Sequence, residues 1–214
     1  LRTLFTFIDL YDQLTFKARE EKVELKELEP INDNLVIKAA DLLRKRTDCN
    51  KGVEISLQKH IPLQKGLGGG SSDAAATLIG LNKLWDLGLT HTELLNISLE
   101  LGSDVPFFIF GRSAWAEGRG EILSEVDFNE EWYLLYMPKA QISTKKAFEN
   151  LSSNFSKPYT YEEYFSKGGF NSFEKWARES YKEIDEIFIK LENIGTPRLS
   201  GTGSSVFVSF SKLE

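Results

Sequence analysis

The stretch Pro62–Ala76, PLQKGLGGGSSDAAA, decides how this chain is read. Four glycines (Gly66, Gly68, Gly69, Gly70) run into Ser71, Ser72, Asp73 and three alanines. Glycine serves where a backbone takes positive φ or must come close to a ligand. Ser71, Ser72 and Asp73 are N-cap types, and the alanines open a helix. A bare loop ending at a helix N-terminus aims several N–H groups at one point on the positive end of the helix dipole, an arrangement suited to phosphate. The loop is neither GxxxxGK[ST], because Ser71 follows Gly70, nor GxGxxG counted from Gly66, which places Ser71 last. The plain alternative is a flexible turn before a core helix. So many glycines and serines carry a large ordering entropy for a mere turn.

Composition bounds the rest. The 214 residues suffice for one large or two small domains, and 41% hydrophobic with 27% charged residues is ordinary for a globular protein. A net charge of −6 disfavours nucleic acid or an anionic membrane as partner, yet leaves room for an anionic small molecule held by local lysines. The single Cys49 excludes an internal disulfide framework and fits a reducing, cytoplasmic setting. His60, His91 and Cys49 are too few for a dedicated zinc site. No apolar run approaches membrane-spanning length, and no signal segment is visible. The chain opens at Leu1 in what reads as mid-domain strand, so it is expected to be a fragment lacking its start.

Along the chain, Leu1–Leu10 and Thr15–Leu28 read as strands, and Leu35, Ala39, Leu42 and Leu43 mark a helix capped by Asp33 or Asn34. Val53–Leu57 is a strand leading into the glycine loop; Ala74, Leu78, Leu81 and Trp85 mark a buried helix face after it. Thr90 with Glu93 signals a capping box. Val105–Phe110 and Ser113–Glu117 read as strands. The acidic stretch Ser124–Glu131 suggests a boundary, giving domains 1–125 and 126–214. Trp132–Met137 reads as a buried strand, residues 150–170 as loop with weak helix, and Phe173–Ile194 as one long amphipathic helix. A second glycine turn, Ser200–Ser205 (SGTGSS), precedes the strand Val206–Phe210. The interleaving gives an α+β fold in two lobes.

Several residues are candidates for chemistry. Lys65 stands beside the loop, either neutralising phosphate or simply solvated. Ser71 and Ser72 can bind phosphate or help hold magnesium, which prefers oxygen ligands. Asp73 is either a metal ligand or an acid favoured in a first helical turn. Asp104, in GSDVPFF, stands between a helix end and an apolar run, where a carboxylate is partly desolvated and primed as a base. The plain reading of such an aspartate is a turn residue. SGTGSS can approach phosphates too, though glycine turns are common. Phe148 suits either base stacking or ordinary packing.

PLQKGLGGGSSDAAA resembles the central ATP loop of the GHMP kinase superfamily, and SGTGSS resembles its third motif. Leu101–Glu121 (LGSDVPFFIFGRSAWAEGRGE), TLFTFIDLYD and DNLVIKAADLL are closely similar to one branch, whose substrate is a cytidine diphosphate-linked polyol of the non-mevalonate route to isoprenoids. The similarity covers most of residues 1–148 and returns at 171–210. It implies an N-terminal lobe like the second domain of ribosomal protein S5 and a ferredoxin-like C-terminal lobe. It implies ATP and Mg2+, a small-molecule substrate, no nucleic acid or membrane partner, and a monomer or weak homodimer. Asp104 matches the catalytic aspartate. Pro62, Leu63, Gln64, Lys65, Gly66, Leu67, Gly68, Gly69, Gly70, Ser71 and Ser72 match the ATP-binding run, and Asn34 a position near adenine. Thr144 and Phe148 match substrate positions at the cytidine end. The first motif, with its lysine and a tyrosine–histidine pair, is expected upstream of Leu1. The usual Asn-Asp reads Asn171-Ser172 here. Competing classes are another GHMP kinase, a non-catalytic nucleotide-binding module, and an S5-like RNA-binding module, the last disfavoured by the charge.

Overall fold

The computed structural model describes residues 2–127, 131–151, 160–166 and 169–211. It divides into two units, Leu1–Ile61 with Gly68–Asp127, and Pro62–Leu67 with Phe128–Glu214. The part of the reading over 150–170 that covers residues 152–159 and 167–168 lies outside the described residues.

The first unit contains β1 (Thr3–Phe5), β2 (Gln13–Arg19), β3 (Val23–Glu27), α1 (Leu35–Thr47), β4 (Gly52–Gln58), α2 (Gly69–Leu84), α3 (His91–Ser98), α4 (Val105–Phe110), β5 (Ala114–Glu117) and β6 (Ile122–Glu125). β4 is central to one sheet, antiparallel to β2 (Phe16 opposite Ile55) and parallel to β3 (Leu25 opposite Ile55). Val53, Ile55 and Leu57 alternate into the core, as period-2 burial requires. There they meet Val36, Ala39, Ala40 and Leu43 of α1 and Ala74, Ala75, Leu78 and Leu81 of α2, followed by Trp85. Those helical positions are spaced at three and four, which makes one apolar stripe per helix. The Trp85 indole donates to the Gly52 carbonyl (3.2 Å), tying the end of α2 to the start of β4. A second sheet, β1–β5–β6, is antiparallel throughout.

Three expectations change here. Val105–Phe110 is helix, not strand: Pro106 sits in the first turn and Gly111 closes the helix at φ 75°. A buried run apolar on every face has no periodicity to separate the two. Thr15–Leu28 is two strands, because residues 20–22 turn the chain so that both flank β4. Leu1–Leu10 yields only the three residues of β1.

The second unit holds β7 (Trp132–Tyr136), α5 (Thr144–Glu149), α6 (Tyr161–Ser166), α7 (Glu174–Ser180), α8 (Lys182–Leu191), β8 (Arg198–Leu199) and β9 (Val206–Phe210). β9 lies between β7 and β8, antiparallel to both. Ile184, Ile187, Phe188 and Leu191 of α8 close over Val206 and Val208. The expected long helix is broken at Tyr181 (φ −132°, ψ 96°), whose ring meets Trp176 edge to face. In β7 the alternate residues Trp132, Leu134 and Tyr136 share the face turned away from the core, so they are substantially exposed rather than buried.

Candidate active site

Gly68 has φ 67° and serves as the N-cap of α2 without a side-chain bond. The expected caps Ser71, Ser72 and Asp73 therefore fall inside the helix, and Asp73 lies beyond its first turn. The N–H groups that open a helix have no intrahelical partner, so those of Gly69, Gly70 and Ser71 remain available at the positive end of α2. The Ser71 and Ser72 hydroxyls make no hydrogen bond among the described residues. Neighbours fill the space a side chain would need. A Cβ on Gly68 would sit 2.8 Å from Cζ of Phe108; on Gly69, 2.8 Å from Ile61 Cγ2 and 3.2 Å from Lys59 Nζ. At Gly68 and Gly69 the loop is bare because its surroundings leave no room; at Gly70 a Cβ would make only ordinary contact.

Lys59 and Asp12 were not singled out by sequence; Asp73 was, as a metal ligand or a first-turn acid, and not as their partner. The ammonium is paired with both Asp12 and Asp73, the latter at 2.8 Å. Asp12 also accepts the main-chain N–H groups of His60 (2.6 Å) and Ile61 (2.9 Å). Burial alone would raise Asp12; the bonds from Lys59, Ile61 and His60 outweigh it and hold the carboxyl below its usual range. Asp73 goes the other way, pushed up to about 6 chiefly by burial, against the pull of Lys59 and with Asp12 adding to the rise. Its Oδ1 is buried without a hydrogen-bond partner. Burial wins at Asp73, while at Asp12 the ammonium and two main-chain donors win. Residues 12, 59 and 73 are too far apart in the chain for any spacing motif to have found them.

Asp104 occupies the N-cap position of α4 but makes no capping bond. Burial alone pushes its carboxyl above the ordinary range. No hydrogen bond or ion pair to it exists among the described residues, so its anion lacks the donors that would quiet it. The hairpin turn after β5 supports it from behind: a Cβ on Gly120 (φ 123°) would collide with the Ser103 carbonyl. One turn beyond Asp104, Phe108 lies against Gly68, and α4 packs on α2. The segment bearing the carboxylate and the second half of the glycine loop thus belong to one packed structure.

Asn34 caps α1, accepting the Val36 N–H (2.9 Å) and donating to Glu27 (2.8 Å). Of the two expected caps it is the one used. Leu35, next to it, lies 3.7 Å from a Cβ placed on Gly70, so the start of α1 adjoins the start of α2.

In the second unit, the run Pro62–Leu67 is laced to the second glycine turn. Ser205 N–H donates to the Lys65 carbonyl (3.1 Å) and the Ser200 hydroxyl to the Gly66 carbonyl (2.8 Å). A Cβ on Gly66 would strike the Ser200 carbonyl and Gly203. Asn171 donates to the carbonyls of Leu199 and Gly201, both at 2.8 Å, which gives that position an anchoring role in this turn. Lys65 is buried and its ammonium is engaged by main-chain carbonyls, so it is not the solvated cation beside the loop that sequence allowed. Thr144 opens α5 behind the cap Ser143; Phe148, on the same helix, is 52% exposed with its ring edge-on to Phe173 (5.0 Å).

Residues 34–112 match the family model described as "GHMP kinases N terminal domain". A 4-diphosphocytidyl-2-C-methyl-D-erythritol kinase of Nitrosococcus oceani is 42% identical over 216 residues, covering 98% of this chain and 77% of the relative. The enzyme of that name from Haemophilus ducreyi is 38% identical over 221 residues, covering 100% and 78%. A crystal structure of 4-(cytidine 5'-diphospho)-2C-methyl-D-erythritol kinase superposes with TM-score 0.75 at 29% identity, over 92% of this chain and 75% of the other. The homoserine kinase of Cytophaga hutchinsonii shares the fold, with TM-score 0.73 at 16% identity over 94% and 76%.

Proposed function

The chain belongs to the 4-diphosphocytidyl-2-C-methyl-D-erythritol kinase family of the GHMP kinases, and from that premise we propose how its own residues do the work. The reaction is ATP-dependent phosphorylation of the 2-hydroxyl of 4-diphosphocytidyl-2-C-methyl-D-erythritol, in the non-mevalonate route to isoprenoids. One observation supports the assignment of roles above the rest. A half-buried carboxylate with no hydrogen-bond donor among the described residues, Asp104, heads the helix whose Phe108 rests on Gly68 of the anion cradle.

The free N–H groups of Gly69, Gly70 and Ser71 bind and orient the triphosphate, helped by the positive end of α2. Asp104 accepts the proton of the 2-hydroxyl as its oxygen bonds to the γ-phosphorus. The bond from that phosphorus to the β,γ-bridging oxygen breaks, and ADP leaves. Phosphoryl transfer asks little covalent chemistry of a protein, so positioning and charge stabilisation supply most of the rate.

Magnesium fits the donor set in one way. Among the described residues no three His, Cys, Asp or Glu gather to hold an ion. The Ser71 and Ser72 hydroxyls are oxygen ligands with no other partner among the described residues, suited to an ion that would arrive on phosphate and keep its waters. Such an ion would supply neutralisation of the phosphate charge. Asn34 is assigned to the adenine side and Thr144 and Phe148 to the cytidine side, Phe148 being a half-exposed aromatic suited to stacking. The acidic balance and the lone cysteine support a cytoplasmic setting and a small-molecule substrate rather than nucleic acid.

The test is a phosphoryl-transfer assay on the full-length protein with ATP and a panel of alcohols, the product located by phosphorus NMR. Turnover confined to the cytidine diphosphate-linked polyol, with a new phosphomonoester on C2, is expected. Preference for homoserine or mevalonate overturns the substrate assignment.

A further inference from the structure

Three main-chain carbonyls, those of Pro138, Lys139 and Ala140, point at one buried spot occupied by the Lys65 ammonium (2.5, 3.4 and 2.7 Å). An ammonium carries three donors, and these use all of them. Glu183 works on the opposite side of the same peptides: its carboxylate accepts the N–H groups of Lys139 (2.8 Å) and Ala140 (3.0 Å). The Pro138–Lys139 and Lys139–Ala140 peptide dipoles therefore run from a carboxylate at their N–H ends to a cation at their carbonyl ends. Ser204 adds its hydroxyl to the Ala140 carbonyl (2.5 Å), and Ile142 N–H reaches back to the Gln64 carbonyl (3.3 Å). Everything in this network leads to the first half of the glycine loop. Burial pulls the Lys65 ammonium below its usual pKa, with Glu183 opposing, as for a cation held by dipoles rather than by a direct ion pair.

We propose that Lys65 is a positioning residue acting as a tethered monovalent cation, filling a carbonyl cage that fixes Pro62–Leu67 and the second glycine turn in their nucleotide-binding shape. The proposal deepens the kinase reading and rests on it for its kinetic arm. A cage of carbonyls around a single charge is indifferent to the covalent stem that brings the charge. Emptying it by Lys65→Ala leaves three inward-facing carbonyls, which a free cation of ammonium size can satisfy. Lys65→Met fills the channel with an uncharged chain and blocks such entry.

The experiment compares full-length wild type, K65A and K65M in chloride salts of tetramethylammonium, lithium, potassium and ammonium at equal ionic strength. In tetramethylammonium, K65A is expected to raise the KM for ATP roughly 10- to 100-fold, the scale of leaving buried acceptors unpaired, with kcat within about threefold. Ammonium and potassium restore that KM in K65A, lithium does less, and nothing restores it in K65M. Wild type is indifferent to the cation. The melting temperature of K65A without nucleotide rises with ammonium or potassium and not with tetramethylammonium. A K65A enzyme with wild-type KM, a defect that all salts relieve equally, or a K65A chain that stays unfolded even in ammonium overturns the proposal. Should the wild type fail to phosphorylate the polyol, the kinase reading falls while the melting arm still decides the cage.

Discussion

Gly68→Ala offers a measurement with a built-in control. Gly68 and Gly88 have the same left-handed backbone, φ 67° and 68°, and both belong to the first unit. A Cβ on Gly88 meets nothing within 4 Å, whereas one on Gly68 comes 2.8 Å from Cζ and 3.1 Å from Cε2 of Phe108. Forcing alanine into that backbone region costs about 1–2 kcal/mol at either site. Gly68→Ala adds the strain of an overfilled contact, about 1–3 kcal/mol more. The Phe108 ring cannot simply swing away, because Phe107 and Phe7 hold it edge-on at 5.1 and 5.9 Å. Urea unfolding should therefore rank Gly68→Ala below Gly88→Ala by about 1–3 kcal/mol. Trimming the ring should relieve it: in a cycle of Gly68→Ala with Phe108→Leu, the coupling should exceed about 0.5 kcal/mol in the rescuing direction. Because Phe108 joins the Asp104 helix to the cradle, Gly68→Ala should also cut kcat/KM for ATP where Gly88→Ala leaves it near wild type. Equal destabilisation by the two alanines, or no coupling to Phe108, would show that the two segments are not packed as described.

Asp73 should make stability depend on pH. Its folded pKa of about 6 lies above the model-compound 3.8, so folding takes up a proton in that window, and the cost of holding the anion grows as pH rises from about 4 to 6. Asp73→Asn should gain on wild type across that interval by up to roughly 3 kcal/mol and hold a constant difference above it, read from urea midpoints at each pH. A difference that shrinks with rising pH would contradict the assignment. Asn34→Ala should cost about 1 kcal/mol through the lost cap of α1, while Asn34→Ser, which keeps a capping oxygen without setting a second carboxylate against Glu27, should recover most of it in thermal denaturation. Equal losses would place the stability in the Glu27 bond instead.

Much of this architecture was legible because local chemistry and global fold agree. The spacing of Leu35, Ala39, Leu42 and Leu43 placed α1, although its buried face is Val36, Ala39, Ala40 and Leu43; the strand Val53–Leu57 and the Thr90–Glu93 capping box carry their own signals. The glycine loop was legible for the same reason, since only a bare backbone serves there. The segment after Asp104 was misread as strand because VPFFIF is apolar on every side; being buried all round erased the helical period. The break at Tyr181 was invisible because an aromatic residue fits either side of it. The Lys59 cluster and the Lys65 cage could not be read at all. Each depends on groups 14 to 75 positions apart in sequence, brought together only by packing.

The central claim is that Asp104 serves the transferred proton while the cradle of Gly69, Gly70 and Ser71 holds the triphosphate. The most direct measurement is single-turnover phosphorylation of 4-diphosphocytidyl-2-C-methyl-D-erythritol by full-length wild type and Asp104→Asn across pH, paired with ATP binding by calorimetry. Asp104→Asn should bind ATP nearly as wild type does and lose about 10²–10⁴-fold in rate. The wild-type rate should fall as acid protonates a carboxylate whose pKa burial has raised, and that limb should vanish in the variant. A variant that turns over within about threefold of wild type, with the acid limb intact, would contradict the account.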